Sequence, residues 1–192
     1  QLVDVNVGGF ATGSIQLGNL KKNAAVNAEL NVVNLSYWRD TLGDVTAKVK
    51  YDNDVKKISV NAFVEKNDKK EIVVDGNYFI KPEHDEIDFT IKIDKANVSP
   101  FGRYLNSFAS EVKGLASGNL HLYGLASKPF LTGNARLQKG SLKIDYLNTK
   151  YFLSSDNIKF DEKVISFNNV PFNDEKLNTG TLNGAIYHTN LK

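Results

Sequence analysis

The sequence contains no cysteine and no methionine, and only four prolines and three histidines among its 192 residues. Without cysteine the chain can form neither a disulfide framework nor a thiolate nucleophile. No apolar run approaches the roughly 18 residues that a membrane helix needs. A strand pattern at the first residues and a repeat left unfinished at the last ones lead us to expect a piece of a longer protein.

Charge and reactive residues exclude several classes of function. The 24 basic and 22 acidic residues nearly balance at a net charge of +2, and no basic tract interleaved with aromatics favours nucleic acid. The histidines, at 84, 121 and 188, lack metal-ligand spacing. No nucleophile elbow, phosphate-binding loop or dinucleotide fingerprint occurs. We therefore expect a protein that is not an enzyme and that holds no cofactor or metal.

Apolar and polar residues alternate along most of the chain, which is typical of strands with one apolar and one polar face. The pattern predicts strands near 2–7, 10–17, 24–33, 44–51, 57–65, 71–80 and 86–93, with turns at Gly8-Gly9, 52–54, 67–70 and 81–83. In the second half it predicts strands at 120–123, 130–137, 141–147, 150–154, 157–160, 163–172 and 177–187. Pro171 predicts a sheet edge or a strand end, because proline cannot complete a central ladder.

One segment, from about Pro100 to Val112, has helical spacing instead. Ser99 is the predicted N-cap, Pro100 suits the first helical position, and Gly114 suits the C-terminal cap. Its apolar residues would form one face of an amphipathic helix. This helix either covers a sheet face or plugs an apolar groove, and the plug residues would be Phe101, Tyr104, Leu105 and Phe108.

The chain also contains a long internal repeat. Phe10–Leu17 aligns with Leu115–Leu122, and shorter matches follow in the same order. These pair Lys50–Asp52 with Lys159–Asp161, Ile58–Val60 with Ile165–Phe167, and Asp75-Gly76 with Asn183-Gly184. Such a series is typical of an elongated structure of stacked units. It predicts a first β unit at 1–97 and a second at 98–192, with the helix at its start, in one continuous structural domain.

The second half carries glycine-rich phrases in a particular order: Val112–Gly124, Pro129–Gly133, Ala135–Gly140 and Leu182–His188. In this order they resemble the C-terminal region of TamB-like translocation and assembly proteins of the AsmA-like/TamB superfamily, in the form found in Bacteroidetes. The resemblance implies an elongated, half-folded sheet, or β-taco, with an apolar interior. It also implies a periplasmic part of a longer protein anchored in the inner membrane, which reaches an outer-membrane barrel of the TamA or Omp85 type.

The predicted fold class is therefore all-β, mainly β with one amphipathic helix. The resemblance implies a groove that shields acyl chains during phospholipid transport between the two membranes, assists outer-membrane protein assembly by holding unfolded strands, or does both. The alternative is a closed-core repetitive structural or adhesin module without a ligand. Alternation decides which residues share a face, and the resemblance suggests that this face lines the groove: Val26, Leu30, Val45, Val49, Ile58, Val60, Phe89, Ile91, Leu120, Leu122, Leu131, Leu137, Leu142 and Ile144.

Overall fold

The computed structural model describes residues 6–18, 25–38, 40–80 and 85–188, apart from the side chains of Asp156 and Asn157. These ranges contain one 3₁₀ helix, Ser99–Leu105, and eleven strands that are hydrogen bonded in chain order in a single sheet. The all-β prediction is therefore confirmed. The strands are β1 (Val7–Gly18), β2 (Ala25–Tyr37), β3 (Asp40–Asp52), β4 (Lys57–Lys66), β5 (Lys69–Phe79), β6 (Ile87–Asn97), β7 (Ala109–Leu125), β8 (Lys128–Ile144), β9 (Thr149–Asp161), β10 (Val164–Asp174) and β11 (Thr179–Tyr187).

The chain divides into two compact units. Unit 1 comprises Gln1–Lys92 and His121–Phe130, and unit 2 comprises Ile93–Leu120 and Leu131–Lys192. The division therefore passes through β6, β7 and β8, whereas the units predicted from the repeat change between residues 97 and 98.

The hairpins of unit 1 follow from their turn residues. Asn67 and Asp68, both with positive φ (51° and 58°), join β4 to β5 in a two-residue turn, with Lys66 opposite Lys69. Asn and Asp tolerate this left-handed conformation, and such a turn matches the twist of the flanking strands. The predicted turn near 52–54 also forms: Asp52 Oδ1 accepts the amide of Asp54 at 3.0 Å. The predicted turn at 81–83 lies outside the described residues.

Two glycines mark bulges rather than ends of elements. Gly9 has φ 144° at a register shift between Gly8 and Phe10, so β1 continues where a turn was predicted. The predicted strands at 2–7 and 10–17 are thus one strand from Val7 onward, and residues 1–5 lie outside the described part. Gly114 has φ 145° inside β7, where a helix cap was predicted. Because only glycine adopts these angles readily, each strand can bulge without breaking.

The helix prediction was wrong in extent and in its cap. The 3₁₀ helix ends at Leu105, residues 106–108 form a turn, and β7 begins at Ala109. Val98 is the N-cap, without a side-chain cap, while Ser99 donates both its amide and its hydroxyl to Asn97 Oδ1, at 3.0 and 2.9 Å. Glycine and polar residues within the segment are weak helix formers, and strand pairing prevails after them.

The second half has fewer and longer strands than predicted. The strands at 130–137 and 141–147 are both parts of β8, which ends at Ile144, and those at 150–154 and 157–160 are both parts of β9. Pro171 lies in β10, which pairs with strands on both sides, so the edge prediction was wrong. The proline instead follows a register shift between Phe167 and Val170, and bulges are sites where a strand accepts proline.

Residues that the repeat aligns occupy equivalent places in the two series of strands. Phe10–Leu17 lies in β1 and Leu115–Leu122 in β7, and the bulge glycines Gly9 and Gly114 precede these segments by one residue. Each bulge glycine faces an irregular step of the next strand, near Val33 and Leu35 in one case and near Gln138 and Gly140 in the other. The repeat itself stays a prediction from the sequence.

Three non-glycine residues inside strands have φ between 52° and 55°, and two of them, Asn34 and Asn169, lie at register shifts. In each case the backbone amide donates to a side-chain oxygen of the following strand. Such a bond replaces the ladder bond that a bulge loses. The amides and acceptors are Asn34 and Asp44 Oδ1 at 2.8 Å, Lys95 and Ser117 Oγ at 2.9 Å, and Asn169 and Asn183 Oδ1 at 2.8 Å.

Few side chains are fully buried. Among the described residues the buried hydrophobic set is Ile87, Ala96, Ala109 and Val170. A sandwich of this length would enclose two apolar inner faces about 10 Å apart. Within the described residues of either unit no such closed core forms, and most apolar side chains keep part of their surface exposed.

Candidate functional site: an apolar sheet face

The apolar face of unit 1 is built by pairs of directly opposed residues, which share one side of a sheet. Val49 of β3 lies between Ala28 of β2 and Val60 of β4. The same pairing extends across β1 to β5. The members of this face are Ile15, Leu17, Val26, Ala28, Leu30, Val32, Val45, Ala47, Val49, Tyr51, Ile58, Val60, Ala62, Val64, Ile72, Val74 and Tyr78. It includes all six predicted groove residues of β2 to β4.

Phe89 joins this face through a glycine. Gly76 pairs with Val60, and a Cβ on Gly76 would come within 2.7 Å of Phe89 Cδ1. Phe89 therefore lies over the space that Gly76 leaves open, on the side of Val60. Ile91 shares that side by alternation along β6.

Leu122 also lies on the apolar side. Its neighbour His121 contacts Asp88 on the other side, with His121 Nε2 and Asp88 Oδ1 2.7 Å apart. Asp88 in turn alternates with Phe89. Successive strand residues point to opposite sides, which places Leu122 on the side of Phe89.

Partial exposure is the common property of the predicted residues in unit 1. Leu30 is 44% exposed, and the others are half-buried. Side chains in a sheet shield one another sideways, while a second layer is needed to cover their ends. The exposure of this set is therefore that of a face without a covering layer in the described part of unit 1.

In unit 2 the predicted residues fall into two sets. A Cβ on Gly133 would come within 2.9 Å of the Cα of Leu120, and Gly133 pairs with Phe160, which places these three residues on one side. Leu131 shares this side by alternation. Leu137 precedes a register shift that ends at Gly140 and pairs with the buried Ser155.

The second set in unit 2 lies beyond that shift. Leu142 pairs with Tyr151, and Ile144 pairs with Thr149. Tyr151 also makes an edge-to-face contact with Phe172, with ring centroids 5.6 Å apart. Strict alternation does not hold across the shift, so the period-two pattern could not relate Leu137 to Leu142.

The residues predicted to form a plug are mostly in contact with solvent. Phe101, Tyr104 and Phe108 are 51%, 69% and 50% exposed, and Leu105 is half-buried. Phe108 lies in the turn after the 3₁₀ helix rather than on a helix face. The helical face that would have inserted these side chains together does not form, because β7 begins at Ala109.

The polar side of unit 1 was not predicted as a site. It holds a hollow of about 340 Å³, lined by polar side chains of five strands that include Glu29, Lys48, Lys50 and Asp75. Two lysines and two carboxylates balance one another there. The alternating polar positions were visible in the sequence, but the register that brings them together was not.

The apolar face offers hydrocarbon and aromatic surface, and the polar groups among its members are the phenol hydroxyls of Tyr51 and Tyr78. No cluster of three or more His, Asp or Glu side chains that could hold a metal ion occurs in the part of the chain that the structure describes. His84 lies outside that part. The chemistry available on the face is thus the removal of apolar ligand surface from water.

The described residues include no helix long and apolar enough to cross a membrane. Comparison with known proteins gave no match, whether with family models, with curated proteins or with solved structures.

Proposed function

We propose that this chain is a non-enzymatic binding protein whose apolar face in unit 1 shields extended hydrocarbon, in particular the acyl chains of phospholipids. The observation that carries the proposal is the partial exposure of that face across five strands, without a closed core among the described residues. Soluble monomers rarely expose contiguous apolar patches larger than roughly a few hundred Å². Patches above that size mark binding sites.

The energetics suit weak, exchangeable binding. Full burial of a CH₂ group stabilises by about 0.8 kcal/mol, so one-sided cover contributes roughly half of that. A chain of about 16 carbons lying across the face would gain on the order of 6 kcal/mol, from which the cost of association is subtracted. A ligand held this loosely can move along or leave the face, as transport requires.

The setting follows from the resemblance of the second half to TamB-like proteins. We propose a periplasmic location within a longer protein anchored in the inner membrane, with an outer-membrane barrel of the TamA or Omp85 type as partner. Phospholipid transport between the two membranes is the proposed process. The order of the glycine-rich phrases supports this setting.

Assistance of outer-membrane protein assembly is the second candidate. Its support is the chemistry of the two outer strands among the described residues: β1 and β11 contain no charged residue, and nearly all of their residues are exposed. Charged residues and proline are the usual devices that prevent edge pairing. An unfolded strand could therefore add to either edge through backbone hydrogen bonds. The closed-core alternative has less support, because the described residues form no closed core.

Binding of a fluorescent fatty acid tests the proposal. Val60→Asp places a charge on the apolar face, whereas Ser59→Asp, the neighbouring residue on the polar face, places it opposite Lys50. We expect Val60→Asp to weaken binding at least about tenfold, since apolar contact is replaced by a desolvated charge. Ser59→Asp should leave the affinity within about twofold. Absence of binding by the wild-type chain, or equal loss in the two folded variants, would overturn the proposal.

A further inference from the structure

A second hollow, in unit 2, differs from that of unit 1 in its charge. It measures about 530 Å³ and is lined by residues of β7 to β11. Lys113 and Lys139 are its charged side chains, and no carboxylate lines it. The hollow of unit 1 instead carries two lysines and two carboxylates. The lining of the hollow in unit 2 thus carries two positive charges and no negative one.

Strand pairing defines the floor of this hollow. Phe152 lies between Ser141 on one side and Asn173 on the other, and Asn173 pairs with Thr179. These four residues therefore share one side of the sheet, opposite to Leu142. Thr179 is exposed, as is Ser154, which also lines the hollow, and the hydroxyl groups of both can donate hydrogen bonds to an anion. Ser141 is buried, and Asn173 Nδ2 already donates to Asp174 O at 3.0 Å.

Phe152 is unusual for its surroundings. It is 40% exposed on a side where most of the lining residues are lysine, serine, threonine and asparagine. Pro171, which also lines the hollow, is exposed as well. An exposed ring beside polar hydrogen-bond donors offers a flat apolar surface, and a flat ligand can stack on it.

More lysines surround the hollow than line it. Lys150 Nζ lies 3.1 Å from Glu111 Oε2, and Lys143 pairs directly with Lys150. The hydrogen bond and the charge of Lys150 hold the pKa of the Glu111 carboxyl below its usual value, with Lys143 and Lys113 adding to the effect. Glu111 thus offsets one of these lysines, and a positive field remains at the hollow.

We propose that the hollow in unit 2 binds an organic phosphate ester whose phosphate is held by Lys113 and Lys139 and whose flat apolar body stacks on Phe152. The site lies on the side opposite to Leu142 and involves no residue of unit 1. Its test is therefore independent of the function proposed above.

Three probes separate the parts of this recognition: 1-naphthyl phosphate, 1-naphthol and inorganic phosphate. We expect calorimetric titration of the chain to give an affinity for 1-naphthyl phosphate that is about tenfold or more above its affinity for 1-naphthol or for inorganic phosphate. The affinity should fall as ionic strength rises from about 0.01 M to about 0.15 M, where the Debye length shortens from about 30 to about 8 Å. Equal affinity for inorganic phosphate or for naphthol would overturn the assignment.

Variants locate the site. The double substitution Lys113→Gln and Lys139→Gln should weaken the binding of 1-naphthyl phosphate about tenfold or more, because charged hydrogen bonds are lost. The matched control is the double substitution Lys48→Gln and Lys50→Gln in the hollow of unit 1. It should change the affinity for 1-naphthyl phosphate by less than about twofold. Phe152→Leu keeps an apolar side chain but removes the ring. It should weaken the binding of 1-naphthyl phosphate and leave the binding of inorganic phosphate unchanged. An equal effect of the two lysine pairs, or no effect of Phe152→Leu, would contradict the proposal.

Discussion

Gly76 in β5 has no side chain, and the ring of Phe89 in β6 occupies the space that this leaves on the apolar face of unit 1. A Cβ on Gly76 would approach Phe89 Cδ1 to 2.7 Å and would also meet the β6 backbone. The ring of Phe89 is half-buried as a result. A glycine in a strand thus serves packing across the sheet rather than a turn.

Gly76→Ala is expected to destabilise the fold by about 1–3 kcal/mol, because the added methyl displaces backbone and ring. Its counterpart in the repeat, Gly184, has no atom within 4 Å of an added Cβ. Gly184→Ala should be neutral or should stabilise by up to about 1 kcal/mol, since alanine restricts the unfolded chain. Denaturant unfolding of both variants measures the difference. Equal effects of the two substitutions would contradict this account of Gly76.

Ser117→Ala should destabilise by about 1 kcal/mol. The buried Ser117 hydroxyl accepts the amide of Lys95, whose φ of 55° takes that amide out of the normal ladder. Lys95→Gly should act in the opposite direction, because glycine adopts positive φ without strain. Unfolding curves that rank Ser117→Ala below the wild type and Lys95→Gly at or above it would agree with this account. The reverse order would refute it.

The turn between β10 and β11 should respond to acid. The Asp174 carboxylate accepts hydrogen bonds from the Asn178 side chain and from the amides of Asn178 and Lys176, each at 2.8 Å. The Asn178 side chain foremost, and then these amides, hold the pKa of Asp174 below its ordinary value. Because the pKa of Asp174 is lower in the folded chain than in the unfolded chain, the ionised carboxylate stabilises the fold at pH values above the unfolded pKa. That stability is lost as pH falls through the folded pKa.

Asn178→Ala removes the main cause of that shift. NMR titration of the Asp174 carboxyl should give a pKa closer to the ordinary value of about 3.9. The acid-dependent part of the stability below about pH 4 should shrink accordingly. An unchanged Asp174 pKa in the variant would mean that the backbone amides alone set it.

The period-two pattern predicted β3, β4 and β6 well, because strict alternation of residues such as Val45, Ala47 and Val49 leaves one face for water. It failed where glycine or proline stood inside a strand. Gly9 and Gly114 suggested a turn and a cap, but each lies inside a strand that is hydrogen bonded to the next strand of the sheet. Local sequence does not reveal such pairing.

The sequence pattern could predict which residues share the apolar face, but it could not predict how the strand register arranges residues in space. Which residues share a face followed from alternation for Val26 through Val60, and the register agrees. The register also brings Lys139, Phe152 and Asn173 to one hollow, although they are up to 34 positions apart in the chain. No pattern of period two contains that information, since it depends on bulges and on loop lengths.

Photocrosslinking with a phospholipid that carries a diazirine on its acyl chain tests the central claim most directly, because each labelled residue can be identified by mass spectrometry. Strand β4 provides the matched positions, since Ile58, Val60 and Ala62 lie on the apolar face and Ser59 and Asn61 on the polar one. We predict labels on the first three and on their partners in β3, with few on the other two. Labels spread equally over both faces, or confined to the polar face, would contradict the claim that the apolar face of unit 1 shields acyl chains.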